Sequence, residues 1–213
     1  MDFSNLPSDI AFRLECAAEL LSSDVDLLSE GERERYEAFG HNDRKRGFLL
    51  GRKAAKRLIS EHENLDVSDA EVVVLDGGSP AISQSKRRLS ISHAGHGDNV
   101  LAMACIAERP VGVDLELIAP RRADLYTRVL HPDEYGLLDD LDLQHNEVQL
   151  LLWSLKEAVL KGLQTGFRRS AKNVHLDDLS DGTGRAHLHD GPSWHLRYAR
   201  HGMFWATIAF LDQ

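Results

Sequence analysis

A chain of 213 residues, 42% hydrophobic and 28% charged, has the composition of an ordinary globular protein and length enough for one large domain or two small ones. A formal net charge of −9 disfavours nucleic acid as a partner, and the absence of any long apolar run disfavours a membrane span. The N-terminus lacks the basic and apolar regions of a signal peptide, and Cys16 and Cys105 read as small core residues rather than a disulfide, so a cytoplasmic protein is expected.

The elements follow in chain order. "IAFRLECA" (10–17) alternates and predicts a strand. Ser29, with Glu32 three residues on, forms a capping-box pattern that opens a short helix. A longer helix is predicted over 43–62. "EVVVLD" (71–76) is β-branched and predicts a strand stopped by "GGSP". "RLSISHAG" alternates and then turns. Residues 100–108 and 111–118 predict two strands around a tight connection. "HPDEYGLLDDL" places Pro132 in a first helical turn, and 145–164 predicts a long helix that stops near Gly166. Strands are expected at 173–177, 185–189, 194–199 and 203–210. The two halves share one outline of short helix, gap, long helix and strands. That is a duplication with a period of roughly 100 residues, far beyond solenoid repeats. The seam falls at 108–110, giving an N-terminal α+β half at 1–108 and a C-terminal α+β half at 109–213.

Basic residues cluster: "RKRGFLLGRKAAKR" (44–57) holds seven, and 86–88, Arg121–Arg122 and 168–172 add more. Such patches on an acidic chain suit either solvated faces or an anionic ligand held in a pocket. In "VGVDLELI", Asp114 and Glu116 lie two apart on a strand and so share a face. Adjacent carboxylates repel, and a hard divalent cation such as Mg²⁺ removes that penalty; a solvated acidic strand face fits the same pattern. Trp153, Glu157 and Lys161 are spaced four apart on one helical face, with Lys156 on its flank. They fit an ordinary helical salt bridge, or a third metal carboxylate beside phosphate-binding lysines. "LSISHAGHG" sets Ser90, Ser92 and His93 at a strand end before a Gly-rich turn, either a plain strand end or a phosphate cradle.

Taken together, "LSISHAG" (89–95), "GVDLE" (112–116) and "WSLKEAVLKG" (153–162), in this order, resemble the Sfp-type 4′-phosphopantetheinyl transferases over roughly residues 25–210. The resemblance implies two similar α+β halves in a pseudo-twofold arrangement, with the coenzyme in the cleft between them. It implies transfer of the 4′-phosphopantetheine arm of coenzyme A to a serine of an apo acyl or peptidyl carrier protein, releasing 3′,5′-ADP. Mg²⁺, or Mn²⁺, is the implied metal, on Asp114, Glu116 and Glu157. Lys161 matches the lysine near the pyrophosphate, and Lys156 belongs to the same motif; Glu157, Lys161 and Lys156 are the implied catalytic set. Ser92, His93, Arg52, Arg46 and Lys161 are the implied coenzyme contacts.

The nucleophile would be the carrier's serine, and Glu157 the proton acceptor. A monomer is expected, since both halves of such a site lie in one chain. The carrier is open among fatty acid, polyketide, nonribosomal peptide and lysine-biosynthesis systems, with secondary metabolism expected. Two positions depart from the family pattern: Gly78-Ser79-Pro80 stands where G-K-P is common, and Ser92-His93-Ala94 where S-H-S is common. Lys86, Arg87 or Arg88 would replace the missing phosphate-binding lysine. The competing readings are a non-catalytic carrier-binding homologue and another Mg²⁺-dependent phosphotransferase; against the second stands the absence of a Walker loop or kinase signature.

Overall fold

Alternating residues from Ala11 to Cys16 form strand β1. The capping box then closes as the sequence predicts: Ser29 Oγ accepts from Glu32 N, Glu32 Oε2 accepts from Ser29 N, and α1 runs Glu30–Glu37. Helix α2 (Asn42–Glu63) follows and ends at Asn64, a residue in the left-handed region (φ 54°). Then come β2 (Val72–Val74), β3 (Pro80–Ile82), β4 (Arg88–His96) and β5 (Asn99–Ala107). They pair antiparallel in the order β1-β5-β4-β3-β2. The fold here is that of a computed structural model, which describes residues 3, 5–120, 129–137, 141, 143–164, 169–189 and 191–212.

The second sheet begins with β6 (Val111–Leu117). A 3-10 turn at Pro132–Glu134 and helix α3 (His145–Gly162) follow. Four strands complete it: β7 (Val174–Ser180), β8 (Thr183–Leu188), β9 (Ser193–His201) and β10 (Phe204–Leu211). The order is β6-β10-β9-β8-β7. Strand for strand this is the order of the first sheet, so the fold class is α+β with two similar halves. The chain divides into two compact units, Pro7–Glu108 and Arg109–Gln213 together with Met1–Leu6.

Each helix lies on its own sheet. In the N-terminal unit Ala54, Ala55, Leu58 and Ile59 of α2 meet Leu89, Ala104 and Ile106. In the C-terminal unit Leu151, Leu155, Ala158 and Val159 of α3 pack with Leu196, Ala209 and Trp194. Each buried Leu, Ile or Val contributes about 1.5–3 kcal/mol, so these helix faces hold the units together.

Four readings are corrected. The strand expected at 71–76 spans Val72–Val74, and β3, three residues beginning at a proline, was not foreseen. The helix expected from "HPDEYGLLDDL" opens as the 3-10 turn Pro132–Glu134; residues 138–140 lie outside the described residues. Helix α3 stops at Gly162, where Gln164 turns left-handed (φ 53°); Gly166 lies outside the described residues, as do Arg121, Arg122 and Arg168. The basic cluster 44–57 is divided: Arg52, Lys53 and Lys56 are buried in ion pairs, while Arg44, Lys45, Arg46 and Arg57 keep part of their surface exposed. Both cysteines are free thiols. Among the described residues no helix is long and apolar enough to cross a membrane.

Candidate active site

Strand alternation sends Gly112, Asp114 and Glu116 of β6 to the face covered by α3. The two elements touch where both lack side chains. A Cβ at Gly112 would lie 2.0 Å from the Ala158 carbonyl and 2.4 Å from the Gly162 amide. This approach brings four polar side chains of α3 onto β6. Trp153 Nε1 donates to Glu116 Oε1 at 3.0 Å. Ser154 Oγ donates to Asp114 Oδ2 at 2.8 Å, and Lys161 Nζ to Asp114 Oδ1 at 2.6 Å. Glu157 completes the set: burial first, and then the charge of Asp114, push its carboxyl above the ordinary range, while Lys161 opposes the rise.

The N-terminal unit provides a comparison. There Arg13 and Glu15 of β1 face α2. Arg13 bonds Glu61 at 2.5 Å, as Asp114 bonds Lys161. Glu15 bonds Arg57 at 3.0 Å and lies 3.6 Å from Lys53, as Glu116 bonds Trp153. Residues 53, 57 and 61 of α2 thus stand where 153, 157 and 161 stand in α3. At the five matching positions the N-terminal unit carries Arg13, Glu15, Lys53, Arg57 and Glu61, three bases against two acids. The C-terminal unit carries Asp114, Glu116, Trp153, Glu157 and Lys161, three acids against one base. Three carboxylates and a lysine thus gather on one face, and hard oxygens at that density are a donor set that suits a divalent cation. It is not a preformed cage: among the described residues no three His, Cys, Asp or Glu groups converge to hold an ion. Asp114 is instead held by Lys161 and Ser154, and Glu116 by Trp153.

Lys156 does not join this set. Its ammonium is fully buried and donates to Glu134 Oε2 at 2.5 Å and to the Val129 carbonyl at 3.1 Å. Burial holds its pKa down, and Glu134 opposes that. Glu134 also accepts from the backbone of His131 and Leu176, tying the 3-10 turn, α3 and β7 together. The N-terminal unit repeats the pair, with Lys56 Nζ 3.1 Å from Glu32 Oε2. A lysine–glutamate pair present in both units has the character of scaffold, and the structure does not bring Lys156, expected in the catalytic set, to the Asp114 face.

In the N-terminal unit a cavity of about 160 Å³ is lined by Arg35, Phe48, Arg52, Gly78, Pro80 and His93, among others. The His93 ring reaches it because α2 carries a glycine beside it; a Cβ at Gly47 would sit 2.4 Å from His93 Nδ1. Arg52 stacks on Phe48, 4.6 Å from the ring centroid, and lies 2.9 Å from Glu32 Oε1. This is an ion pair rather than an aligned hydrogen bond, since neither atom finds a hydrogen-bond partner of good geometry. A neighbouring cavity of about 420 Å³ shares Arg35, Phe48 and Arg52 and reaches Ser29 and Glu32.

Two expected contacts are not brought there. Ser92 is buried and, one residue from His93 on β4, faces the other side of the sheet. Arg46 is partly exposed, pairs with Asp98 at 3.3 Å and does not line the cavity. Arg35, in "EGERERYEAF", was missed; its place five residues into the capped helix was the available signal.

With this geometry in place, the comparisons with known proteins are informative. Residues 110–209 match the 4′-phosphopantetheinyl transferase superfamily, a span that contains the whole β6–α3 site. The particular likeness is to the Sfp type. A 4′-phosphopantetheinyl transferase of Bacillus subtilis is 25% identical over 169 residues, 77% of this chain and 72% of that one. The 4′-phosphopantetheinyl transferase Sfp of Bacillus subtilis (strain 168) is 28% identical over 160 residues, 72% and 69% of the two chains. The crystal structure of the Thermotoga maritima holo-[acyl-carrier-protein] synthase matches with a TM-score of 0.42 and 23% identity, over 49% of this chain and 63% of that one. The resemblance read from the three motifs is borne out.

Proposed function

We propose that this chain is an enzyme that transfers the 4′-phosphopantetheine arm of coenzyme A to a serine of an apo carrier protein, with Mg²⁺ or Mn²⁺ as its metal. The observation that carries the reading is the gathering of Asp114, Glu116 and Glu157 beside Lys161 on the β6–α3 face, at positions where the repeat carries more bases than acids. The likeness to 4′-phosphopantetheinyl transferases supplies the substrate class.

The serine oxygen attacks the phosphorus that bears the pantetheine, the bond from that phosphorus to the bridging oxygen breaks, and 3′,5′-ADP leaves with the electron pair. Asp114, Glu116 and Glu157 would hold the metal, which when bound offsets the charge growing on the pyrophosphate. Lys161, at the rim of the same face, neutralises a phosphate oxygen of the donor. Glu157, its carboxyl raised by burial and by Asp114, accepts the serine proton. The cavity lined by Arg35, Arg52 and His93 takes phosphate groups of the coenzyme, with Arg35 beside the position where a family lysine is missing. The protein acts as a cytoplasmic monomer, which a size-exclusion mass equal to one chain tests.

Intact mass spectrometry of an apo carrier protein incubated with this protein, coenzyme A and Mg²⁺ tests the reaction. A mass gain of one phosphopantetheine arm that EDTA prevents is expected. Absence of both mass gain and coenzyme binding, with several unrelated carriers, overturns the proposal in favour of a non-catalytic carrier-binding protein.

A further inference from the structure

We propose that Ser154, backed by Thr207, is a positioning residue that fixes how Asp114 meets a cation: Oδ2 is pinned to the helix, and Oδ1, held by Lys161 in the cation-free protein, is the oxygen released to the metal. This rests on the metal-binding reading given above and adds to it two hydroxyls and an order of events.

The geometry starts from proton counting. A hydroxyl has one proton to give. That of Ser154 goes to Asp114 Oδ2 at 2.8 Å. Thr207 Oγ1 lies 3.0 Å from Ser154 Oγ and 3.1 Å from the Ser154 carbonyl. Thr207 stands directly opposite Asp114 in the β6–β10 ladder. Both side chains are fully buried, so water does not compete and the carboxylate plane is set by protein alone. With Oδ2 committed, a cation reaches Asp114 through Oδ1. There it meets Lys161, whose side chain is 32% exposed while that of Asp114 is 6% exposed. The lysine is the mobile partner and the aspartate the fixed one.

The repeat separates this role from mere packing. The α2 position matching Ser154 is Ala54, and the residue opposite Arg13 in the β1–β5 ladder, matching Thr207, is Ala104. The helix–strand ion pair survives there as Arg13–Glu61 with its charges reversed. The scaffold therefore needs the ion pair but not the hydroxyls. They occur in the unit where that strand position is a carboxylate, Asp114 in place of Arg13, which is where a carboxylate needs its orientation held.

The test is Mn²⁺ binding to the free protein, followed by electron paramagnetic resonance without coenzyme or carrier. Ser154→Ala is expected to weaken Mn²⁺ binding about tenfold, the scale of losing an outer partner of a metal ligand, and Ser154→Thr to restore most of it. In the transfer assay, the metal concentration for half-maximal rate should rise more than the saturating rate falls. Lys161→Met, which removes the ammonium from Oδ1, should tighten Mn²⁺ binding. Wild-type Mn²⁺ affinity in Ser154→Ala overturns the proposal, and weaker binding by Lys161→Met overturns the placeholder role of the lysine. Should Ser154→Ala not fold, Thr207→Val, which removes the backing hydroxyl without changing side-chain shape, is expected to weaken binding in its place, and unchanged affinity there overturns the proposal. If the wild type binds no Mn²⁺, or Asp114→Asn binds it as the wild type does, the metal-site reading itself fails, an outcome distinct from the failure of Ser154 alone.

Discussion

Glu157 occupies the least comfortable position in the C-terminal unit. Its carboxyl is raised above the ordinary value of 4.5 by burial and by Asp114. A group that holds its proton more tightly folded than unfolded costs stability once it ionises, and the cost disappears as pH falls below the ordinary value. Glu157→Gln is therefore expected to raise the melting temperature of the metal-free protein at neutral pH, with the gain shrinking toward zero below pH 4.5. The same substitution should lower transfer by about 10²–10⁴-fold, the scale of a lost general base. Thermal melts across pH and one rate measurement check both. Lys156 behaves in the opposite sense. Lys156→Met leaves Glu134 buried without its cation and is expected to cost about 3–5 kcal/mol, read by denaturant unfolding, while Mn²⁺ affinity of the folded protein stays at the wild-type level. Spacing alone did not separate these two residues. Lys156 lies on the flank of the Glu157 face, and only the fold shows that its ammonium turns to Glu134 instead of Asp114. Ser92 is different: its alternation with His93 was legible in the sequence and argued against a shared site.

Between β6 and α3 the motif glycines have a steric purpose. Gly112 opens "GVDLE" and Gly162 closes "WSLKEAVLKG", and they are the pair across which helix and strand touch. A methyl at Gly112 would meet backbone atoms, which no side-chain rotation relieves. Gly112→Ala is expected to cost about 1–3 kcal/mol or more and to weaken Mn²⁺ binding by lifting Ser154 and Lys161 away from Asp114. Denaturant unfolding and the Mn²⁺ titration measure the two effects. The long helices and the alternating strands were legible because each repeats its period over many residues. Strand β3 has three residues and begins at a proline, too short for any period to show. Thr207 was invisible for another reason: it matters through its pairing with Asp114, and the register of strands that lie far apart in sequence is not written in either strand alone.

Across the whole molecule, the two-unit outline read from short helix, long helix and strands agrees with two sheets of matching order. The charge contrast between them was not legible, because matching positions emerge only when Arg13–Glu61 is laid over Asp114–Lys161. Carboxylates brought together on one face by the fold favour a bound cation only when folded. Mg²⁺ or Mn²⁺ should therefore raise the stability of the protein, by about 2.7 kcal/mol at a hundredfold excess over Kd. Asp114→Asn should abolish that gain, as differential scanning calorimetry with and without metal will show.

The repeat has one more consequence. A chain that carries the same strand–helix contact twice, once with bases in the majority and once with acids, contains its own comparison. Arg13, Ala54, Arg57, Glu61 and Ala104 mark what the scaffold requires when no chemistry is asked of it. The differences at Asp114, Ser154, Glu157, Lys161 and Thr207 then measure, within one polypeptide, how far the two contacts have diverged in charge and polarity.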